Sequence, residues 1–329
     1  MTGHGCGPRN NADRSRKLNR HWAEAHVPKL GWLRFRLSRA LGGTVRNCTL
    51  VRDGQGWHVT CGIHSGSTDA LSNGKPGCGV DFGIAVAAYV STEDSPRLMT
   101  PTLTHGEQRR LLALQQRKAR QIQYAKKRNG GRYSKRLRKT AAQIAALAAR
   151  QARRRLDFTH KLTTDLAKNH GFVGIEDLSV TRMTAAAKGT VLQPGTCVRR
   201  EASLNRAILD NCPGERRRQL EYKTREYGSE LRLVVPHGTS QTCPSCGVRD
   251  PKNRVGCGRE FACVHCGFAG HADKIASIEI EARARRAGGT VTKSTRRSGR
   301  EPSRLRFAGT GARVNHVAAS DQVAAVSRA

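Results

Sequence analysis

The sequence predicts an α/β fold, and three features carry that expectation. Short apolar runs that read as strands meet carboxylates, a long basic stretch of helical periodicity separates two of those runs, and a four-cysteine cluster precedes a last helix. The 329 residues suffice for two or three domains and at least one full core. Lys and Arg number 59 against 25 Asp and Glu, a formal net charge of +34. An excess of that size sets up a positive field whose commonest partner is a phosphate backbone. An acidic membrane is the other partner for such charge, but no apolar stretch approaches the roughly 18 residues of a spanning helix and no lipidation signal is present. The opening MTGHGCGPRN lacks the apolar segment of a signal peptide. A cytoplasmic, nucleoid-associated protein with no membrane partner is therefore expected.

Residues 1–28 are polar and basic without periodicity and read as a loose lead-in. Three β-like runs follow in a small domain at 29–75: Lys29–Phe35, Thr44–Val51 and Trp57–Ile63. Gly42-Gly43 and Asp53-Gly54 punctuate them, the second as a hairpin turn. Ser65–Gly77, rich in Gly, Ser, Asn and Pro, marks a boundary. A core is expected at 76–238. Its first strand opens at Gly79-Val80-Asp81-Phe82-Gly83, Ile84–Val90 makes a second, and a third is expected near Leu98–Leu103.

A helical insertion fills 105–170, with a turn around Asn129–Gly131. Leu111, Leu112, Leu114, Ile144, Leu147, Leu156 and Leu162 supply its apolar stripes. Arg109, Arg110, Arg117, Lys118, Arg120, Lys126, Lys127, Arg128, Lys135, Arg136, Arg138 and Lys139 supply the opposite faces with almost no acids interleaved. That imbalance favours a nucleic-acid-facing surface over a merely solvated one. Phe172–Ile175 reads as a buried strand ending at Glu176, followed by the weak segment Thr181–Arg200 and a helix from Leu204 to about Tyr227 broken at Pro213-Gly214. A strand at Leu231–Val235 leads to the cysteines, Ala272 to about Ala287 reads as the last helix, and the tail at 289–329 is expected to be disordered.

Cys243-Pro-Ser-Cys246 and Cys263-Val-His-Cys266 form C-x2-C…C-x2-C, the spacing of one structural zinc ion in a ribbon at 239–268. Two intervening residues let a knuckle aim both sulfurs at one ion, and Gly247 and Gly267 suit the turn after each pair. Four thiolates fill the shell, so Cys257, His265 and His271 are spare and no catalytic position stays open. The remaining cysteines show no metal spacing.

Asp81 sits within an apolar strand, Glu176 ends another, and Asp273 in GHADKIASIEI opens a helix at 269–288. Burying such charge is costly, and hard-oxygen ligation of Mg²⁺ offsets the cost. Two Mg²⁺ ions about 4 Å apart support phosphodiester hydrolysis by activating water and stabilising the leaving oxygen. Asp177 points the other way along its strand and is not counted as a ligand. No G-x-x-x-x-G-K-[ST], H-E-x-x-H or G-x-S-x-G occurs, which argues against P-loop, zincin and serine-hydrolase chemistry.

The order strand-Asp, basic helical insertion, strand-Glu, helix, TSQTCPSC…CVHCG and HAD resembles the TnpB (OrfB) family of insertion-sequence proteins, related to compact type V CRISPR effectors. VPKLGWLRF, DFTHKLTTDLAKNHGFVGIEDLSV and RRQLEYKTREYGSELRLVVPHGTSQTCPSCG carry the likeness over roughly residues 27–287. The resemblance implies an RNase H-like, RuvC-type core with Asp81, Glu176 and Asp273 as catalytic triad, an inserted zinc ribbon and a partial, wedge-like N-terminal β-barrel. It also implies a guide RNA from the transposon end and Mg²⁺-dependent cleavage of DNA paired to that RNA. Two departures stand out. Only some 26 residues precede VPKLGWLRF, where the family usually has a helical recognition lobe, and Ile275 and Glu279 stand where Asn is usual. A non-cleaving modulator of transposition and a transposase acting directly on DNA are the other readings. Trp22, Trp32, Trp57 and Tyr133 are expected mainly in core packing rather than base stacking.

Overall fold

The structure is a computed structural model that describes residues 15–287 apart from 28–29, 39, 42, 55, 65–69, 129, 186–192, 194 and 257. The tail at 289–329 and Cys257 lie outside the described residues. Two strands, β1 (Ser15–Lys17) and β2 (Trp22–Val27), arise where a loose lead-in was expected, and with β3 (Gly31–Arg36) they form an antiparallel sheet. The reason is alternation: Ala23 and Ala25 are buried while Trp22 and His26 are exposed. The hairpin of β4 (Thr44–Asp53) and β5 (Gly56–His64) follows the expected runs and turns at Gly54.

The core sheet runs β7-β6-β8-β9, with β6 (Cys78–Asp81), β8 (Phe172–Glu176) and β9 (Glu230–Val234) parallel and the short edge strand β7 (Tyr89–Val90) antiparallel to β6. The expected strand Ile84–Val90 shrinks to β7 because side chains take the backbone carbonyls before it. Arg216 donates to Ala87 O at 2.9 Å, and Asn211 to Ile84 O at 3.1 Å. No strand forms at Leu98–Leu103. Arg97 closes one bridge to Ala88, and Leu98 beyond it is 63% exposed.

Helices α1 (His105–Arg128) and α2 (Lys135–Asn169) make the insertion, and Ser134 caps α2 by accepting from Leu137 N at 3.2 Å. Leu114, Leu147 and Leu162 are buried, whereas Leu112 and Leu156 are exposed. At about 100° per residue, Leu112 and Leu114 cannot share a face, nor can Leu147 and Leu156. The hairpin turn meets α2, where Arg153 donates to Asp53 Oδ2 at 2.8 Å. A short α3 (Val180–Met183) precedes α4 (Val198–Asp210) and α5 (Pro213–Glu226), the latter started by a proline in its first turn.

The sheet has helices on both faces. Cys78, Val80, Val173 and Ile175 pack with Leu162 and Leu166 of α2 and Leu220 of α5. The alternate residues face the last helix, α6 (Ala272–Arg286), at the sites of two glycines. A Cβ on Gly79 would lie 2.1 Å from Ser277 O, and one on Gly174 2.7 Å from the Ala284 Cβ. Those absent side chains let α6 lie directly on β6 and β8. Between β9 and α6 stands a small sheet of β10 (Arg254–Val255), β11 (Glu260–Ala262) and β12 (Ala269–His271). Among the described residues, no helix is long and apolar enough to cross a membrane.

Candidate functional site

Three carboxylates come together at one end of the core sheet. Asp81 ends β6, Glu176 ends the adjacent parallel strand β8, and Asp273 lies in the first turn of α6, which packs on β6. Parallel strands that end together offer their last side chains to the same crevice. Burial pushes the Asp81 carboxyl up to about 7, the charges of Glu176 and then Asp273 push the same way, and Arg254 opposes them. Burial also raises Glu176, against a hydrogen bond from Thr239 Oγ1 at 2.5 Å and the charge of Arg283. Asp177 is exposed and pairs with Arg217 at 2.5 Å, away from the cluster.

Concentrated negative charge that resists ionisation suits a divalent cation, and carboxylate oxygens are the donors such a hard ion takes. Among the described residues, only the cysteine set has three or more Cys, His, Asp or Glu ligand atoms all within 4.8 Å of one another.

Arg254 and Thr239 were not legible in the sequence. The charge of Arg254 acts on Asp81 only because the cysteine-bearing segment folds back on the core. Thr239 lies in the TSQTCPSC segment, but nothing in that spacing names Glu176 as its partner. The start of α6 is fixed from three sides. His271 caps it by accepting from Asp273 N at 3.3 Å, stacks on Tyr89 at 4.7 Å, and is followed by Lys274, which donates to Ser91 O at 2.8 Å.

Cys243, Cys246, Cys263 and Cys266 form that tight set, with Cys243–Cys266 and Cys246–Cys263 sulfurs each 3.6 Å apart. Gly247 and Gly267 turn the knuckles at φ 74° and 73°, and their N–H groups donate to Cys243 O and Cys263 O at 2.9 Å. The N–H of Cys266 and then, against burial, that of His265 draw the Cys263 thiol down to about 6. On Cys246 the N–H of Val248 pulls downward too, but burial and the other three sulfurs hold the thiol at about 12. Sulfurs crowded this closely, with one readily ionised, fit a tetrahedral zinc ion. Buried Asn253 ties the knuckles together, donating to Gln241 O at 2.9 Å and accepting from Val264 N at 3.0 Å. Neither His265 nor His271 belongs to the cluster.

The twelve basic residues singled out on α1 and α2 are exposed, except Lys118, which is half-buried. None of them pairs with a carboxylate among the described residues. Further along α2 the pattern reverses: Arg150 and Arg154 hold Glu107 at 2.6 Å, and Arg155 holds Asp210 at 2.6 Å. The protein neutralises arginines with carboxylates where it packs, in contrast to the twelve basic residues named above.

Residues 63–187 match the OrfB_IS605 family, described as "Probable transposase", and residues 214–280 match the family described as "Cas12f1-like, TNB domain". The first stretch holds Asp81 and Glu176; the second holds the four cysteines and Asp273. A protein of Escherichia coli (strain K12), "Putative RNA-guided DNA endonuclease InsQ", is 34% identical over 257 residues, 78% of this chain and 61% of that protein. A "Putative RNA-guided DNA endonuclease" of Streptomyces pristinaespiralis is 30% identical over 253 residues, 75% of this chain and 56% of that protein. The chain thus spans about three fifths of the length of these relatives. The solved structure titled "Cryo-EM structure of the Cas12f1-sgRNA-target DNA complex" aligns with a TM-score of 0.40 at 17% identity, covering 79% of this chain and 44% of that one. With both halves of the carboxylate set and the cysteine set inside matched stretches, the chain belongs to the TnpB (OrfB) family.

Proposed function

We propose that this chain carries the nuclease centre of a transposon-associated, RNA-guided DNA endonuclease. The convergence of Asp81, Glu176 and Asp273 from three separate elements carries the reading: burial first, and then the charges of Glu176 and Asp273, raise the Asp81 pKa in a protein otherwise dominated by positive charge. In this reading 76–238 and 269–288 form a RuvC-type core, 239–268 a ribbon with one zinc ion, and 29–75 part of a wedge-like β-barrel. The printed names of the relatives support a DNA substrate and an RNA guide, and a DNA substrate would keep the protein at the nucleoid.

Asp81, Glu176 and Asp273 would hold the Mg²⁺ ions, two in number. Bound Mg²⁺ supplies activation of the attacking water and stabilisation of the leaving 3′ oxygen. The chain's own groups orient the ligands. Thr239 fixes one Glu176 oxygen by donating to it, and the His271 cap with the Lys274 anchor fixes the first turn of α6. Arg254 brings a positive charge from the ribbon to the cluster, where negative charge grows on the phosphate as the bond breaks. The unpaired basic stretch of α1 and α2 holds the nucleic-acid backbone.

Asp81→Ala should abolish Mg²⁺-dependent cleavage while leaving RNA binding near wild type. Unchanged cutting by that variant sinks the site assignment. Expression with the native flanking DNA, followed by sequencing of co-purified RNA, tests the guide: one defined RNA from the element's end is expected, and heterogeneous RNA argues against it.

A further inference from the structure

The sheet β1-β2-β3 turns an aromatic and basic face to solvent. Its register sets Trp22 opposite Arg36, Glu24 opposite Arg34, and His26 opposite Trp32, with Arg16 opposite Glu24 from the third strand. Alternation puts all seven side chains on one face, and Ala23 and Ala25 are buried on the other. Trp22 and Trp32 are 37% and 42% exposed, which reverses the expectation that they pack in the core. An indole left in water at this cost, twice on one small face, is a feature to account for.

Charge and geometry point to one occupant. Arg34 lies 5.2 Å from the Trp22 ring centre and Arg16 4.5 Å from that of Trp32, while His26 meets Trp32 edge-on at 5.5 Å. A guanidinium over an indole occupies the place that a flat, electron-poor nucleobase takes, and once displaced it can turn to the neighbouring phosphate. Among the described residues, Arg34 and Arg36 have no carboxylate partner. Glu24, held by Arg16 at 2.7 Å, is an acceptor in the middle of the cationic face. An acceptor there repels phosphate and suits a sugar hydroxyl, the 2′-OH that RNA has and DNA lacks.

We propose that this face binds a single-stranded RNA segment by stacking unpaired bases on Trp22 and Trp32, with Arg16, Arg34 and Arg36 on its phosphates. It deepens the RNA-guided reading by naming a contact for the RNA, separate from the basic helices. The three tryptophans of the chain are Trp22, Trp32 and Trp57, so a Trp57→Phe variant reports fluorescence from this face alone. That variant would be titrated with a uridine oligonucleotide, the same length of deoxyuridine oligonucleotide, and an RNA duplex, with binding followed in parallel by anisotropy.

Stacking predicts strong quenching by single-stranded RNA, weaker binding of the DNA strand, and little quenching by the duplex. Two stacked bases contribute about 2 kcal/mol or more, so Trp22→Ala with Trp32→Ala should weaken single-strand binding about 30-fold or more. The double Phe variant should restore most of that affinity, which separates stacking from a folding defect. RNA binding without quenching overturns the proposal, as does affinity unchanged in the double Ala variant. Equal binding of DNA overturns the assignment to RNA. Quenching by the oligonucleotide in a protein that co-purifies with no defined RNA would keep the stacking face and refute the guide, so the two readings fail separately.

Discussion

Replacing Asp81 by Asn should stabilise the protein in Mg²⁺-free buffer, and the gain should depend on pH in a fixed way. The folded structure raises this carboxyl from 3.8 to about 7, with burial first and then the charges of Glu176 and Asp273 responsible. A raised folded pKa means that stability is fully present below the unfolded value and is lost as pH rises through the folded one. At 1.36 kcal/mol per pH unit, ionised Asp81 costs the fold about 4 kcal/mol at pH 8 and about 2 kcal/mol at pH 5. Asn keeps the shape and removes the charge, so the variant should gain up to those amounts. For a domain of 150–250 residues, about 4 kcal/mol corresponds to a rise in Tm of roughly 8–16 °C. Thermal unfolding of both proteins at pH 8 and pH 5, with zinc retained, reads this directly. Added Mg²⁺ should then stabilise the wild type and leave Asp81→Asn nearly unmoved. A variant less stable at pH 8, or one with the same gain at both pH values, would refute the claim that burial and the neighbouring carboxylates raise the Asp81 pKa.

Other consequences are equally open to measurement. Cys246→Ser should release zinc and abolish cleavage while RNA binding through α1 and α2 persists, because β12 runs straight into the helix that carries Asp273; zinc content and cutting are assayed side by side. Arg254→Ala removes the charge that holds the Asp81 pKa down, so the acidic limb of the cleavage pH profile should move to higher pH with a reduced rate. Gly79→Ala places a methyl 2.1 Å from Ser277 O and should cost at least about 1–3 kcal/mol in denaturant unfolding as α6 is forced off the sheet. Neutralising Arg117, Lys118 and Arg120 together should flatten the plot of log affinity against log salt by about 2 for single-stranded RNA, at about 0.7 per lost phosphate contact.

How far the sequence could be read depended on whether the deciding interaction was local. β6 and β8 were legible because strands buried on both faces are continuously apolar, so Asp81 and Glu176 stood out as interruptions. The cysteines were legible from spacing alone, and the long helices from their period and the Asn129–Gly131 turn. The failures share a different cause. Strand β7 is short because Arg216 and Asn211, more than a hundred residues later, take the carbonyls that would have extended the ladder. β1 and β2 lack a long apolar run and exist by pairing with β3. The tryptophans could be counted but not oriented, since a strand residue's exposure follows from register and from which face is covered.

Helix α6 shows why the two departures from the family pattern need not fall on the carboxylates. Ile275 is two residues beyond Asp273, about 200° around the helix, and so points away from the side chain that opens it. It is buried with Cys243, Phe261, Cys263 and Ala272, inside the small core beside the cysteine knuckles. Glu279, one turn further on the same face, is buried and takes a hydrogen bond from Arg283 at 2.8 Å. Arg283 in turn donates to Val235 O at 3.0 Å and His237 O at 2.8 Å, on the segment that leads from β9 into the ribbon. Both positions therefore work on the seam between ribbon and core, while Ile280 and Ala284 pack with Phe172 and Val234 of the sheet. One helix thus offers its first turn to the carboxylate cluster, one face to the sheet and another to the cysteine-bearing segment. An apolar residue at 275 tightens the ribbon seam without adding or removing a group at the carboxylates. An effect of these two positions on cleavage would pass through the placement of Arg254 and Asp273 at that seam and, for Glu279, through Arg283, whose charge acts on Glu176.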